Sequence, residues 1–193
     1  MKKETKIIIA VALIIAVLAL IGVAVFLNKN AGAKPETKLG AINSAEDLSA
    51  LVDKIYEGQQ TLSSLQTQVI DVVDADVVKM YTGLENGESL EYAVASEPMI
   101  SSQAYSLVLA KVKAGNNANE IAKQMLENVN QNKWICVSAE KVYATSSGDI
   151  VCLVMAKEEM AKPVFESFKT LSGSTEQVYE KSEEEIDLPA EMF

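Results

Sequence analysis

Residues 150–156 read IVCLVMA, and every side chain in this stretch is apolar. An uninterrupted apolar run of this length is typical of a strand that is buried on both faces. Residues 141–145 precede it, and the intervening sequence SSGD at 146–149 is typical of a hairpin loop. The sequence therefore predicts a central strand over Ile150–Ala156 that pairs with a neighbour over residues 141–145.

A second pair of strands is predicted earlier in the chain. Residues 90–96, LEYAVAS, alternate as a half-buried strand does, and Pro98 ends the pattern. Residues 104–112, AYSLVLAKV, are more apolar and indicate an inner strand. The two stretches are close enough in sequence to pair as a hairpin across residues 97–103. A short extended stretch is also expected at residues 135–137.

Four helices are predicted from apolar residues at helical spacing and from capping residues. Ser44, Asp74 and Asn117 each precede such a pattern and can accept hydrogen bonds from its first turn. Gly83 suits the left-handed position that ends the second helix. Pro163 is tolerated only in a first turn, so the fourth helix is expected to start at residue 160 or later. The predicted helices cover residues 45–57, 75–81, 118 to about 128, and about 160–171.

These elements indicate an α+β fold. We expect an N-terminal transmembrane helix followed by one small domain, in which helices pack on one face of a mixed or antiparallel sheet of about four strands. Residues 59–73 give no clear signal. The predicted organisation is a cytoplasmic stub at 1–6, a transmembrane anchor at 7–27, a linker at 28–43, an extracytoplasmic α+β domain at 44–171 and an acidic, disordered tail at 172–193.

The anchor is predicted from residues 7–27, IIIAVALIIAVLALIGVAVFL, which contain no charged side chain. A helix of this length spans about 30 Å, the thickness of a bilayer's hydrocarbon core. The lysines in residues 1–6 favour a cytoplasmic N-terminus and an outward-facing domain in the cell membrane. A cleavable signal peptide is the alternative, because the sequence AGA at 31–33 fits a cleavage site, but the apolar run is longer than a signal core.

The composition narrows the chemistry of the domain. The sequence has no histidine, and all 17 of its basic residues are lysine. The absence of histidine excludes Ser-His-Asp and Cys-His nucleophile pairs and histidine metal ligands, and the absence of arginine removes the bidentate clamp for phosphate. Residues 35–193 contain 12 lysines and 26 acidic residues, a balance of −14 that makes nucleic-acid binding improbable.

The two cysteines, Cys136 and Cys152, are too few for a disulfide framework or a four-thiolate zinc site. Both lie among apolar residues, where cysteine behaves as a small buried hydrophobe. Free thiols are therefore favoured, with a single bridge as the alternative in an exported domain.

Serine and lysine are the remaining candidates for a nucleophile and its base. Ser138 and Lys141 form a bare SxxK pattern, a four-residue match that arises often by chance. Ser106 and Lys111 do not have that spacing. A surface strand is the better interpretation of the SxxK match.

The acidic and aromatic candidates also have structural explanations. Glu158 and Glu159 could be half of an acid–base or metal pair. However, the helix dipole favours acidic residues in the first turn of a helix, which explains this pair without a function. Trp134 could stack on a ligand, although a lone tryptophan more often covers a core. Three strand tyrosines are expected to pack in the core or on the sheet: Tyr92, Tyr105 and Tyr143.

We therefore predict no catalytic, cofactor-binding or metal-binding residue. The alternative is a metal-dependent domain, in which oxygen ligands from the excess of acidic residues bind Ca²⁺ weakly. The tail at 172–193 holds seven acidic residues and one lysine, which indicates a solvated segment. A docking tail for a basic partner is the alternative interpretation, since the tail ends in the apolar residues Met192 and Phe193.

One resemblance extends over residues 99–156, from MISSQAYSLVLAKVK through the helix ANEIAKQMLENV to ATSSGDIVCLVMA. A strand ending in KVK, an amphipathic helix and a strand pair with a Gly-Asp turn resemble a Firmicute family known as domain of unknown function forty-three fifty-eight. The resemblance implies a short envelope protein with an N-terminal signal, lipoprotein or membrane segment and one small α+β domain. Its members often carry a lipid-bearing cysteine after the apolar segment, which this chain lacks, and the family brings no catalytic residues.

We interpret the chain as a membrane-anchored protein whose domain is a non-catalytic binding or scaffolding module of the cell envelope. Its expected partners are the lipid bilayer, through residues 7–27, and an envelope protein. The alternative is an exported hydrolase that depends on carboxylates or lysine and acts on cell-wall material.

Overall fold

The computed structural model describes residues 38–59, 64–100 and 102–182. The predicted stub and anchor, most of the predicted linker, and residues 183–193 lie outside this range. No helix within the described residues is both long and apolar enough to cross a bilayer. The described elements are α1 Ala45–Tyr56, β1 Leu65–Val69, α2 Ala75–Thr82, β2 Leu90–Pro98, β3 Tyr105–Val112, α3 Ala118–Asn128, β4 Lys141–Ser147, β5 Ile150–Ala156, α4 Glu158–Ser172 and β6 Tyr179–Ser182.

The strands form one antiparallel sheet in the order β1-β2-β3-β5-β4-β6. Both predicted hairpins, β2–β3 and β4–β5, are confirmed. So is the central position of β5, because all seven of its residues are buried. The sheet has six strands among the described residues, not about four, since β1 and β6 extend it at its two edges. The expectation of a half-buried β2 was wrong, because its middle residues are buried on both faces.

The connections explain why helices cover both faces of the sheet and not one. Strands β3 and β4 both run antiparallel to β5, which lies between them, so they are parallel to each other. By the same argument β5 and β6 are parallel, with β4 between them. The crossover from β3 through α3 to β4 and the crossover from β5 through α4 to β6 move in the same direction across the sheet. The strands from which they start, β3 and β5, run in opposite directions. Crossovers of one hand must then place α3 and α4 on opposite faces.

The alternation of side chains along β5 divides the core into two parts. Val151, Leu153 and Met155 belong to the core under α2 and α3. Cys152 and Val154 belong to the core under α1 and α4. The fold is therefore a three-layer arrangement, and the predicted packing of helices on one face is corrected.

The predicted helix caps are confirmed. The Ser44 hydroxyl accepts a hydrogen bond from the Asp47 amide at 3.2 Å. Asp74 accepts from two first-turn amides of α2, and Gly83 ends that helix with φ +76°. Helix α4 begins at Glu158, earlier than predicted, so Pro163 lies in its second turn. The predicted extended stretch at 135–137 is a loop without strand pairing.

Both predicted boundaries of the domain require correction. The chain already belongs to the domain at Lys38, whose amide donates to the Ser172 carbonyl at 2.9 Å, and Leu39 packs against the core. At the other boundary, β6 lies inside the segment predicted to be a disordered tail. The Thr145 hydroxyl also donates to the Gln177 carbonyl at 2.9 Å. The domain therefore includes residues 38–43 and 172–182.

Candidate functional site

The candidate site is a cleft of about 610 Å³ between the loop that precedes β2 and the exposed side of α3. We call it the polar cleft because most of its lining is amide or carboxylate. Its lining residues are Leu84, Glu85, Asn86, Glu88, Ser89, Asn116, Asn117, Glu120, Ile121, Gln124 and Asn128.

The loop wall of the cleft is held by backbone contacts. A Cβ atom at Gly87 would lie 2.1 Å from the Val72 carbonyl oxygen, so this close approach requires glycine. The Asn86 side chain accepts a hydrogen bond from the Glu88 amide at 3.0 Å, which fixes the turn at Asn86-Gly87. The Lys113 ammonium donates to the Glu88 carbonyl at 2.9 Å. This wall is therefore preformed.

The other wall is the exposed ridge of α3. Asn117 caps the helix by accepting hydrogen bonds from the amides of Asn119 and Glu120. Glu120, Gln124 and Asn128 follow at four-residue intervals, so they lie along one face of the helix. The side-chain Nδ2 of Asn128 donates to the Gln124 backbone carbonyl at 2.9 Å. Local capping and helical spacing thus place a row of polar side chains along the cleft.

The charge of the polar cleft is negative. Glu85, Glu88 and Glu120 line it, and none of the lysines in the described part of the chain does. Lys79 pairs with Glu85 at 2.9 Å, with both side chains more than half exposed. The described residues contain no group of three or more Cys, Asp or Glu side chains placed to hold a metal ion. The cleft disfavours anions and offers amide donors and acceptors together with carboxylate acceptors.

A second polar group lies where β2 ends and β3 begins. We call it the Lys133 cluster: Lys133, Glu97, Ser106, Tyr81 and Trp134. The ammonium pairs with the Glu97 carboxylate, lies 3.4 Å from the Ser106 hydroxyl, and stands 4.9 Å and 5.1 Å from the centroids of Tyr81 and Trp134. Burial lowers the pKa of Lys133, and the charge of Glu97 opposes that shift.

The Lys133 cluster contains the serine–lysine contact that sequence spacing did not reveal. Ser106 meets Lys133, 27 residues later, whereas Lys111 pairs with Asp149 at 3.0 Å. Ser106 has no exposed surface, so its hydroxyl is not open to a substrate. The cluster satisfies a buried ammonium, and Trp134 packs against the core as predicted.

The SxxK pattern does not form a pair either. Lys141 pairs with Glu180 at 3.5 Å and donates to the Ser182 hydroxyl at 3.0 Å, both on β6. Ser138 lies in the loop before β4. Glu158 accepts a hydrogen bond from the Tyr143 hydroxyl at 3.4 Å from the first turn of α4. Lys141 and Glu158 thus have structural partners, and both Glu158 and Glu159 lie in the first helical turn as predicted.

The two cysteines are both free, which confirms the favoured prediction. Cys152 is fully buried, and burial raises its pKa well above its usual range. Cys136 is exposed, which corrects the expectation that both would be buried.

The strand tyrosines pack as predicted. Tyr105 is fully buried and donates from its hydroxyl to the Tyr56 hydroxyl at 3.1 Å. Burial raises the pKa of Tyr56 to about 12 and that of Tyr105 well above its usual range. Tyr143 stacks on Phe165 with 5.1 Å between ring centroids, and Tyr92 packs at the edge of the core under α1 and α4.

Comparison of the chain with protein-family models, with curated proteins and with solved structures gives no match.

Proposed function

We propose that this chain is a single-pass membrane protein whose outward-facing domain is a non-catalytic binding module, with the polar cleft as its ligand site. The observation that carries the proposal is the cleft itself. Its volume of about 610 Å³ is in the range of small-molecule sites. Its two walls are held by backbone contacts and a helix cap, so a ligand would meet a preformed site.

The lining favours a neutral ligand rich in hydroxyl and amide groups, such as a short oligosaccharide. Side-chain amides donate and accept hydrogen bonds, and the carboxylates of Glu85, Glu88 and Glu120 accept them. A sugar hydroxyl can do both, so it can pair with a side-chain amide or with a carboxylate of the lining. An anionic ligand would be repelled by Glu88 and Glu120, whereas Lys79 offsets the charge of Glu85.

The membrane placement rests on the apolar residues 7–27 and on the lysines that precede them. The resemblance of residues 99–156 to an envelope family agrees with this placement. The hydrolase alternative has less support, because Ser106 is buried against Lys133 and both Lys111 and Lys141 pair with acidic residues.

The proposal is tested by titrating the full chain in lipid nanodiscs with neutral N-acetylated oligosaccharides and recording methyl and amide NMR shifts. We expect shifts at Ile121 and along the exposed ridge of α3. Glu120→Gln should weaken binding about tenfold, because a charge-assisted hydrogen bond becomes a neutral one.

Glu127→Gln is the matched control. It makes the same change on the same helix. Glu127 pairs with Lys123 and does not line the cleft, so this variant should not affect ligand binding. Equal loss of affinity in the two variants, or shifts remote from α3, would refute the assignment. Binding of spermidine in place of every saccharide would assign a cationic ligand and overturn the neutral one.

A further inference from the structure

Three large apolar side chains are exposed in two loops at one end of the domain. Met99, Ile100 and Ile135 have 73%, 69% and 74% of their surfaces exposed. The Lys133–Glu97 ion pair brings these loops together, since Met99 lies two residues beyond Glu97 and Ile135 two beyond Lys133. We call this surface the apolar end.

The chain leaves the described domain at the same end. Strand β6 finishes at Ser182, which pairs with Lys141 at the start of β4, and Lys141 also pairs with Ala156 at the end of β5. The Lys181 ammonium donates to the carbonyls of Glu127 and Val129, where the loop that carries Ile135 begins. The chain thus leaves the sheet at the same end as the apolar end, on β6, four strand spacings from the β2 strand that leads to Met99.

The residues that follow Ser182 are long enough to reach Ile135 at the apolar end. Lys141 and Ser182 are opposed across the sheet, and Ile135 is six residues before Lys141, so the path from Ser182 to Ile135 is at most about 27 Å. Met192 lies ten residues beyond Ser182 and can reach about 33 Å in an extended chain.

The residues beyond Ser182 carry apolar side chains suited to such a surface. Residues 183–193 read EEEIDLPAEMF, with Ile186, Leu188, Met192 and Phe193 after the first acidic run. We propose that residues 186–193 fold back over the apolar end and cover Met99, Ile100 and Ile135. Burial of apolar surface on both sides would hold the contact. The acidic residues 183–185 would stay in solvent next to β6.

Cys136 provides a direct measurement of this contact. It is exposed and adjacent to Ile135, whereas Cys152, the other cysteine of the chain, is fully buried. A maleimide therefore reads the accessibility of Cys136 in the folded protein. In the full chain in nanodiscs, the double variant Met192→Ser with Phe193→Ser should speed alkylation of Cys136 about threefold or more, because the covering segment is released.

Val73→Ser is the control, since Val73 is exposed and follows the end of β1 at Val69, whereas the other end of β1, at Leu65, pairs with Pro98 next to the apolar end. It should leave the rate at the wild-type value. Equal rates in all three proteins would overturn the proposal. A wild-type rate that rises on dilution would also overturn it, because a second copy and not residues 186–193 would then cover the surface.

A second variant keeps the test decisive if Met192→Ser with Phe193→Ser disturbs the protein. In Ala190→Cys, mild oxidation should form an intrachain bond between the new thiol and Cys136. Formation of bonds only between molecules would refute the proposal.

Discussion

Strand β3 contributes to two different polar clusters on the opposite faces of the sheet. Glu97 of β2 and Ser106 of β3 face α2 and α3, where they contact the ammonium of Lys133. Tyr105, one residue before Ser106, faces α1 and α4, where it donates a hydrogen bond to Tyr56. Because side chains alternate along a strand, one step along β3 separates a charged cluster from a neutral one.

The two clusters stabilise different kinds of structure. The Lys133 cluster fixes a loop that has no helix or strand of its own between α3 and β4. The hydrogen bond between Tyr56 and Tyr105 joins the end of α1 to a sheet that apolar packing already covers. We therefore expect the charged cluster to be the more sensitive of the two.

The largest effect is expected for Lys133→Ala. The Lys133 and Glu97 side chains are only 10% and 20% exposed, so this change leaves a carboxylate in a mostly buried site without its partner. We expect a loss of about 3 kcal/mol in the free energy of unfolding, measured by urea denaturation. The loop should also exchange its amide hydrogens faster.

The companion variant Lys133→Met with Glu97→Leu removes both charges and keeps most of the volume. It should recover much of the stability, because the orphaned carboxylate is then absent. A double variant that is less stable than Lys133→Ala would show that the charges themselves are needed.

A smaller loss is expected for Tyr56→Phe on the other face. Tyr105 is the donor and has no exposed surface, so removal of the Tyr56 oxygen leaves a buried hydroxyl without its acceptor. The cost should be about 2 kcal/mol, measured by thermal and urea unfolding.

Tyr105→Phe should cost less, about 1 kcal/mol. The hydroxyl left behind is that of Tyr56, which is only part-buried and can reach water. If Tyr105→Phe costs as much as Tyr56→Phe, the assigned direction of the hydrogen bond is wrong.

Local signals in the sequence were sufficient for much of the fold. The run at Ile150–Ala156 and the caps at Ser44, Asp74 and Asn117 depend on neighbouring residues, and all of them are found as predicted. Strand β6 escaped prediction because Tyr179–Ser182 is short and half charged. Its place in the sheet depends on β4, which lies more than thirty residues away.

The sites depend on contacts of this long-range kind. Lys133 meets Glu97 and Ser106 only because the loop after α3 returns to the end of β2, which no spacing rule detects. The polar cleft likewise joins residues 84–89 to α3. Asn117 was predicted as a helix cap, but the cavity that it borders was not predicted.

The smallest effect concerns pH, and the two faces should respond in opposite directions. The pKa of Tyr56 is raised to about 12 from its ordinary value of about 10, so the unfolded chain loses this proton first as pH rises. Stability from the neutral cluster is therefore fully present below pH 10 and is lost between pH 10 and 12. The pKa of Lys133 is lowered instead, so the unfolded chain holds its proton longer and this group adds stability as pH rises towards about 10.5.

Melting temperatures from pH 8 to 12 should thus fall less steeply above pH 10 in Tyr56→Phe than in the wild type. Lys133→Met should lack the rise in stability that the wild type shows as pH increases towards 10.5. Identical pH profiles for the wild type and both variants would show that neither cluster couples its protons to folding.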